Sequence, residues 1–165
     1  MLKITSLEEY GLRCMVQLAR HSDREPLTIA EIAQEEGLSL PYVGKLMNLL
    51  RQEGLVMSVR GRAGGYILPR PADQITLDTV ITALGGDLFD KDHCGRHPAG
   101  HDVCVHSGDC SIRSVWSTMH RIINDTLKKT SLSDLVGTEN QVSQTLEMPA
   151  SAADGEREAG GIELP

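Results

Sequence analysis

The segment LSLPYVGKLMNLLRQEGLVMSVRGRAGGYILPRP, residues 38–71, joins a helix signal directly to a hairpin signal. Ser39 is a typical N-cap residue, and Pro41 stands in the first turn, where a missing N–H costs little. The helix is predicted to stop near Gly54. Its inward face is predicted from the apolar residues that recur at helical spacing, namely Val43, Met47 and Leu50.

The hairpin follows at once. Residues 55–60 and 66–69 are rich in apolar and β-branched types, and they predict two short strands. Residues 61–65, GRAGG, supply a turn in which glycine allows a close backbone approach to a neighbouring group. Arg60 and Arg62 stand at that tip, so the hairpin is predicted to form an exposed, positively charged wing.

Further helix signals lie on both sides of this segment. A first helix is predicted over residues 7–20, with Leu7, Cys14, Met15 and Leu18 on one side. Thr28 and Glu31 form a capping box that starts a second helix. Thr76 caps another helix that ends at 85–86. Three helices followed by a two-stranded hairpin predict a mainly α fold, with a winged helix-turn-helix domain over residues 1–86.

In such a domain the N-terminal end of the third helix meets base edges of DNA. Tyr42 and Lys45 are predicted to point outward there, and an arginine at the wing tip suits a narrow minor groove. Each residue taken alone fits an ordinary solvated helix face or turn equally well, but their order along one short segment favours double-stranded DNA. The predicted DNA-contacting residues are Thr28, Ser39, Pro41, Tyr42, Lys45, Arg60, Arg62, Gly64 and Gly65.

The net charge of −7 does not oppose this prediction, because the charge is unevenly distributed. Residues 1–70 carry nine Lys and Arg against eight Asp and Glu, whereas residues 71–165 carry seven against fifteen. A protein binds DNA with one face and not with its average charge. No apolar run could span a bilayer and no secretory signal opens the chain, so we expect a cytoplasmic protein with no membrane partner and reduced thiols.

Residues 87–110 form a predicted polar loop in which Cys94, Cys104 and Cys110 follow the spacing C-x9-C-x5-C. Packing does not require thiols in such a loop, so a metal or redox site is favoured. Soft thiolates suit an iron–sulfur cluster, zinc or copper(I), and the lack of a tight C-x2-C pair disfavours zinc. Three thiolates leave a cluster one ligand short, which a carboxylate or a histidine must supply. The loop histidines are His93, His97, His101 and His106.

Two other kinds of site remain open. The first is a cluster-free thiol switch in which Cys104 and Cys110 form a disulfide under oxidation. The second is a structural zinc loop in a DNA-binding protein. A metal-dependent enzyme ranks lower, because neither a general-base constellation nor a substrate-binding Gly loop accompanies the cysteines, and the protein is predicted not to be an enzyme. Cys14 is expected to be a core residue and not a ligand.

Residues 111–136 predict a long helix, from 111 to 129, and a short terminal helix capped at Ser131. A near-heptad apolar stripe runs along the long helix and either packs on its own domain or joins two copies of the chain. We favour a homodimer, because a small domain can hardly cover such a helix. The predicted dimer contacts are Ile112, Val115, Trp116, Met119, Ile122, Ile123 and Leu127. Residues 137–165 hold six acidic residues and one Arg and predict a disordered acidic tail.

Four parts of the chain resemble the Rrf2 family of bacterial winged-helix regulators, over roughly residues 1–137. They are KITSLEEYGLRCMVQLA at 3–19, the segment 38–71, the three-cysteine loop, and CSIRSVWSTMHRIINDTLKKTSLSDLV at 110–136. The resemblance implies a homodimer that binds an inverted-repeat operator. It also implies an iron–sulfur cluster near the dimer interface on Cys94, Cys104 and Cys110, with 2Fe–2S preferred over 4Fe–4S.

In this family the fourth ligand is a histidine in some members and an N-terminal carboxylate in others. Arg113 stands where the histidine would be, three residues after the last cysteine. The carboxylate position matches Glu9, which would reach the cluster of the partner subunit, with Glu8 and a loop histidine as rivals. The first gap between cysteines is longer than the family pattern. The implied function is a DNA-binding regulator, a repressor, that senses iron–sulfur status, redox state or nitric oxide.

Overall fold

The computed structural model describes residues 4–21, 26–61, 64–86 and 103–146. Over these residues the chain is mostly helical, with one small antiparallel sheet, as predicted. In chain order the elements are α1 (Ser6–Arg20), α2 (Ile29–Glu36), α3 (Leu40–Gln52), β1 (Met57–Val59), β2 (Gly65–Ile67), a 3-10 turn (Ala72–Gln74), α4 (Leu77–Gly85), α5 (Ser111–Lys129), a second 3-10 turn (Ser133–Leu135) and α6 (Glu139–Leu146).

Side-chain caps start three of the first four helices. Thr28 accepts a hydrogen bond from the Glu31 amide, and Thr76 accepts one from the Thr79 amide, as the sequence predicted. A capping box of Thr5 and Glu8 starts α1, one residue before the predicted start. Each cap satisfies amides that have no partner inside the helix. Ser39 is the N-cap of α3, but its hydroxyl makes no capping bond.

The core lies between α1, α3 and α4. Val43, Met47 and Leu50 are fully buried, which confirms the predicted inward face of α3. α1 and α4 pack closely, because Gly11 faces Leu84 and a Cβ at position 11 would overlap the leucine side chain. The other buried apolar residues are Cys14, Met15, Leu18, Ala19, Leu27, Ile32, Ala33, Leu46, Leu55, Val56, Ile75, Val80, Ile81, Leu84 and Leu132.

The wing is a two-stranded antiparallel sheet in which Ser58 pairs with Tyr66. Both strands are shorter than the predicted ranges of 55–60 and 66–69. Leu55 and Val56 are each only 1% exposed, so their apolar character serves the core and not the sheet. The free edge of β2 is paired too: Tyr66 donates to Leu27 at 2.7 Å and accepts from the Leu27 amide at 3.1 Å. The wing is therefore attached to the segment that precedes α2.

α5 begins and ends at the residues predicted from the sequence. Its C-terminal end is joined to the winged domain by backbone bonds. The Leu77 amide donates to the Thr130 carbonyl at 2.9 Å, and the Leu132 amide donates to the Ile75 carbonyl at 2.8 Å. Leu132 is fully buried, so the chain after α5 returns to the core.

The prediction of a disordered tail from residue 137 needs a correction, because α6 occupies Glu139–Leu146. Its start is a local signal that composition alone conceals. Thr138 accepts a hydrogen bond from the Gln141 amide at 3.4 Å, and the Gln141 side chain accepts one from the Thr138 amide at 2.9 Å, which is a capping box. Residues 147–165 lie outside the described part of the chain. No helix among the described residues could cross a membrane.

Candidate functional site

The first turn of α3 presents a small exposed surface. Lys45 is exposed, as predicted, Ser39 and Pro41 are exposed too, and the Ser39 hydroxyl is not used for capping. Leu40 adds an apolar side chain that is 55% exposed. A helix N-terminus with an uncommitted hydroxyl and a nearby lysine can contact phosphate while its side chains reach base edges.

Tyr42 differs from its prediction as an outward-pointing residue, because it is half-buried and packs against α1. Its ring meets the Tyr10 ring edge to face, with 5.9 Å between the centroids and 84° between the planes. Its hydroxyl donates to the Ser6 carbonyl at 3.4 Å. The side chain therefore joins the N-terminal end of α3 to the first turns of α1.

The same contact continues along α1 to the end of α2. The Arg13 guanidinium lies over the Tyr10 ring, 5.5 Å from its centroid, and its Nε donates to the Glu36 carboxylate at 2.5 Å. Gln17 donates to the other oxygen of Glu36 at 2.6 Å. These partly buried contacts hold α1, α2 and α3 in one arrangement.

Asn48 and Arg51 extend the exposed polar side of α3 beyond the predicted residues. Both are exposed, and Arg51 donates to the Asn48 side chain at 3.0 Å. Asn48 lies one turn after Lys45, on the side opposite the buried apolar residues of the helix. The sequence contained this signal, because the exposed face follows once the inward face is assigned.

The wing carries Arg60 as an exposed side chain beside Gly61. Gly61 has a φ of 131°, which residues with a Cβ rarely adopt. A Cβ at Gly64 would lie 2.7 Å from the Val59 carbonyl oxygen, and one at Gly65 would overlap the Leu27 backbone. These glycines are thus required by the turn itself. Arg62 lies outside the described residues.

Thr28 has a structural task of its own. Its amide and hydroxyl donate to Glu31 at 2.8 and 2.7 Å, and these bonds hold the pKa of the Glu31 carboxyl below its usual range. The hydroxyl is consequently committed to the cap of α2. A DNA contact at this position would have to share that group.

The cysteine loop is described from residue 103 onward. Cys104 and Cys110 carry free thiols and are partly exposed, while His106 is exposed. Cys94, His93, His97 and His101 lie outside the described residues. Within the described ranges, no group of three Cys, His, Asp or Glu side chains is close enough to hold a metal.

Arg113, in the first turn of α5, closes the loop between the two cysteines. One of its guanidinium nitrogens, Nη2, donates to the His106 and Ser107 carbonyls, both at 2.8 Å. The Ser107 amide donates to the Cys104 carbonyl at 2.9 Å, which makes a turn at the start of the loop. Arg113 therefore contacts the backbone between the predicted ligands and has no lone pair to offer a metal.

Glu8 and Glu9 have different surroundings. Glu8 is 5% exposed, and its carboxylate accepts a hydrogen bond from the Thr5 amide at 2.6 Å. It also lies against Gly85 of α4, where a Cβ would overlap it. Glu9 is exposed, and no hydrogen bond joins its carboxylate to the part of the chain that the structure describes. Of the two, Glu9 is the carboxylate available to an outside group.

Cys14 is a core residue, as expected. It is fully buried, and burial raises the pKa of its thiol to about 12, with the Glu36 carboxylate acting in the same direction. A thiol with so high a pKa stays protonated and is a poor ligand and nucleophile near neutral pH.

The apolar stripe on α5 is only partly an open surface. Ile112, Val115, Met119 and Ile122 share one face and are 62, 55, 42 and 53% exposed, and Trp116 beside them is 40% exposed. Ile123 and Leu127 are half-buried, and α5 packs against α4. The predicted stripe thus combines two faces, because helical spacing alone does not separate neighbouring sides of one helix.

Comparisons with known proteins agree on one family. A family profile described as Rrf2, iron-dependent transcriptional regulator, matches residues 4–138. The HTH-type transcriptional regulator IscR of Sodalis glossinidius is 35% identical over 138 residues, which cover 84% of this chain and 81% of that protein.

Solved structures are similar over the same length. CymR, the global cysteine regulator of B. subtilis, has a TM-score of 0.68 at 32% identity, covering 82% of this chain and 97% of its own. T. potens IscR has a TM-score of 0.64 at 31% identity, covering 91% and 94%. The profile match runs from just before α1 to the residue before α6.

Proposed function

The chain belongs to the Rrf2 family of transcriptional regulators, and on that premise we propose that it is a homodimeric repressor controlled by an iron–sulfur cluster. It is a winged-helix, DNA-binding regulator and not an enzyme, as the sequence predicted. The cluster, the dimer and the inverted-repeat operator are the parts that we propose.

The observation that carries the cluster proposal is the state of the cysteines. Cys104 and Cys110 are free, partly exposed thiols on one loop, whereas Cys14 is buried in the core. Soft, accessible thiolates are the ligands that iron–sulfur clusters use. With Cys94 they would form a three-thiolate donor set, and the cluster would supply one-electron redox chemistry and sensitivity to oxidants or nitric oxide. We favour 2Fe–2S over 4Fe–4S.

We propose Glu9 as the fourth ligand, directed to the cluster of the partner subunit. The capping bond to Thr5 and the contact with Gly85 occupy Glu8, which favours Glu9 over this nearest rival. Arg113, at the alternative position, is a hydrogen-bond donor only. A carboxylate ligand exchanges more easily than a thiolate, which suits a cluster that must be lost or modified to give a signal.

DNA would be read by the first turn of α3, with Lys45 at its side, and by the wing with Arg60 and Arg62. The open apolar face of α5 would join the two protomers. A two-fold dimer presents its two reading helices to half-sites about one helical turn apart, roughly 34 Å, which fits an inverted repeat.

Anaerobic purification tests the cluster. We expect a brown protein with visible absorbance and with iron and sulfide in equal amounts. Cys94→Ser, Cys104→Ser and Cys110→Ser should each lose iron and sulfide but remain folded dimers, whereas Cys14→Ala should keep both. Native levels of iron and sulfide in any one of the three serine variants would remove that residue from the ligand set.

A thiol switch is the second candidate, and the two free thiols on one short loop favour it over a zinc loop. Its mark would be a disulfide between Cys104 and Cys110 after mild oxidation of metal-free protein, found by peptide mass spectrometry. A colourless anaerobic protein whose DNA binding follows that disulfide would replace the cluster proposal. One zinc per chain, without sulfide, would support the structural zinc loop.

A further inference from the structure

We infer that Arg113 is a positioning residue that holds the loop between Cys104 and Cys110 closed before any ligand binds. One nitrogen of its guanidinium donates to two successive carbonyls, those of His106 and Ser107, at 2.8 Å each. These bonds connect the middle of the loop to the first turn of α5, which follows Cys110 directly.

The bonds from Arg113 restrain the backbone next to both cysteines. Ser107 is also the donor of the turn bond to the Cys104 carbonyl, so the same peptide that Arg113 holds is tied back to Cys104. On the other side, Cys110 is the N-cap residue of α5, and Arg113 follows it by three residues in the first turn of that helix. Arg113 thus connects the backbone near Cys104 to the start of α5, where Cys110 lies.

Packing of the loop's own side chains does not hold the loop in place. Cys104 and Cys110 are partly exposed, the residues between them are exposed, and Val103 and Val105 are 65% and 71% exposed. Without an apolar anchor, a short polar loop keeps its shape through hydrogen bonds, and bonds from a charged donor are the stronger ones. Arg113 is itself half-buried, which limits its own motion.

The inference concerns the metal-free chain, so it can be tested separately from the proposed cluster. The measurement is the rate at which a pulse of iodoacetamide alkylates Cys104 and Cys110 in the reduced, metal-free dimer, resolved by peptide mass spectrometry. For Arg113→Gln we expect both rates to rise by about tenfold, the order given by loss of a charge-assisted hydrogen bond.

Two variants complete the experiment. Arg121→Gln removes the same charge from an exposed position two turns further along α5, and its rates should equal those of the native protein. Arg113→Lys restores a charged donor and should give rates between the native and Arg113→Gln values. Circular dichroism and sedimentation establish that each variant is a folded protein of native size.

The outcomes are distinct. Faster alkylation of both cysteines in Arg113→Gln, with partial rescue by Lys, supports the positioning role whether or not the protein holds a cluster. Unchanged or slower alkylation in Arg113→Gln overturns it. Reconstitution then gives a second readout: the iron–sulfur absorbance of Arg113→Gln should form but decay faster in air than that of Arg121→Gln.

Discussion

Two adjacent glutamates in the first turn of α1 have separable tasks. Glu8 closes the capping box with Thr5, so Glu8→Ala should lower the free energy of unfolding by about 1 kcal/mol, the usual worth of such a cap. Glu9 is exposed, so Glu9→Ala should leave stability unchanged but make the cluster labile or alter its spectrum. Urea unfolding of the apo proteins and anaerobic absorption spectra of the loaded ones measure the two effects.

Each variant serves as the control for the other. An unchanged spectrum in Glu9→Ala, together with a changed one in a His101 or His106 variant, would transfer the ligand role to that histidine. A changed spectrum in Glu8→Ala at unchanged stability would reverse the two assignments.

Cys14 gives the stability of the fold a dependence on alkaline pH. Burial keeps its thiol protonated up to a pKa of about 12, whereas in the unfolded chain the thiol ionises near its ordinary value of 9.0. The unfolded state therefore loses its proton first, so stability is unaffected below pH about 9 and falls as pH rises from there toward about 12. The slope from this group is at most about 1.4 kcal/mol per pH unit.

Cys14→Ala removes that contribution. Urea unfolding at a series of alkaline pH values should show a shallower fall in stability for the alanine variant, although the variant starts lower because it leaves a small cavity. Parallel curves for the two proteins would mean that the buried thiol ionises as easily in the fold as outside it.

At the scale of elements, the contact between α3 and α1 is expected to fix the orientation of α3, the proposed DNA-reading helix. Tyr42→Ala removes the edge-to-face pair with Tyr10 and should reduce discrimination between operator and random DNA. Tyr42→Phe keeps the ring and loses only the long bond to Ser6, so it should remain near native. Tyr10→Ala breaks the same pair from the other side and should reproduce the Tyr42→Ala effect without touching α3.

Titrations against operator and random duplexes measure this prediction. Native discrimination in Tyr10→Ala, with loss only in Tyr42→Ala, would assign Tyr42 a direct contact with DNA. Equal loss in both would assign it the positioning task.

The two arginines of the wing are expected to strengthen DNA binding through their positive charge. Arg60→Ala and Arg62→Ala should each weaken DNA binding and reduce the salt slope by about one phosphate contact per subunit. For Arg62, a larger loss on A/T-rich flanks would indicate entry into a narrow minor groove. Lys128→Ala, at the far end of α5, is the matched control and should keep the native slope. Native affinity and slope in both wing variants would exclude the wing from the DNA interface.

Local signals carried most of what the sequence predicted correctly. The caps at Thr28 and Thr76 and the ends of α5 depend on residues within one turn of each other, so they could be predicted. The half-burial of Tyr42 depends on Tyr10, 32 positions away in the chain, and only the packed fold brings the two together. The bonds from Arg113 to the loop carbonyls could not be predicted from the sequence. Their acceptors are backbone oxygens, which every residue carries, so no side-chain pattern marks them.

For the whole molecule, the open face of α5 is the proposed contact between protomers. Val115→Glu places a charge in the middle of that face, and burying an unpaired carboxylate is costly, so the protein should become a monomer. It should then bind an inverted repeat no better than a single half-site. Ser117→Glu adds the same charge to an exposed position on the opposite side of α5 and should remain dimeric.

Analytical ultracentrifugation at several concentrations measures the outcome. A dimeric Val115→Glu protein would show that the protomers meet elsewhere. The hydrogen-bonded junction of 130–132 with 75–77 should be intact in both variants, so their thermal unfolding should be alike.

That junction attaches the C-terminal end of α5 to the winged domain, so a rotation of α5 would pivot about that end. The helix has 19 residues and is about 28 Å long, with Cys110 at one end and the junction at the other. A displacement of about 1 Å at the cysteine end therefore corresponds to a rotation of about 2° around the junction. In the proposed two-fold dimer the same displacement would occur in both protomers, so its effect on the spacing of the two proposed reading helices would be about twice that in one protomer.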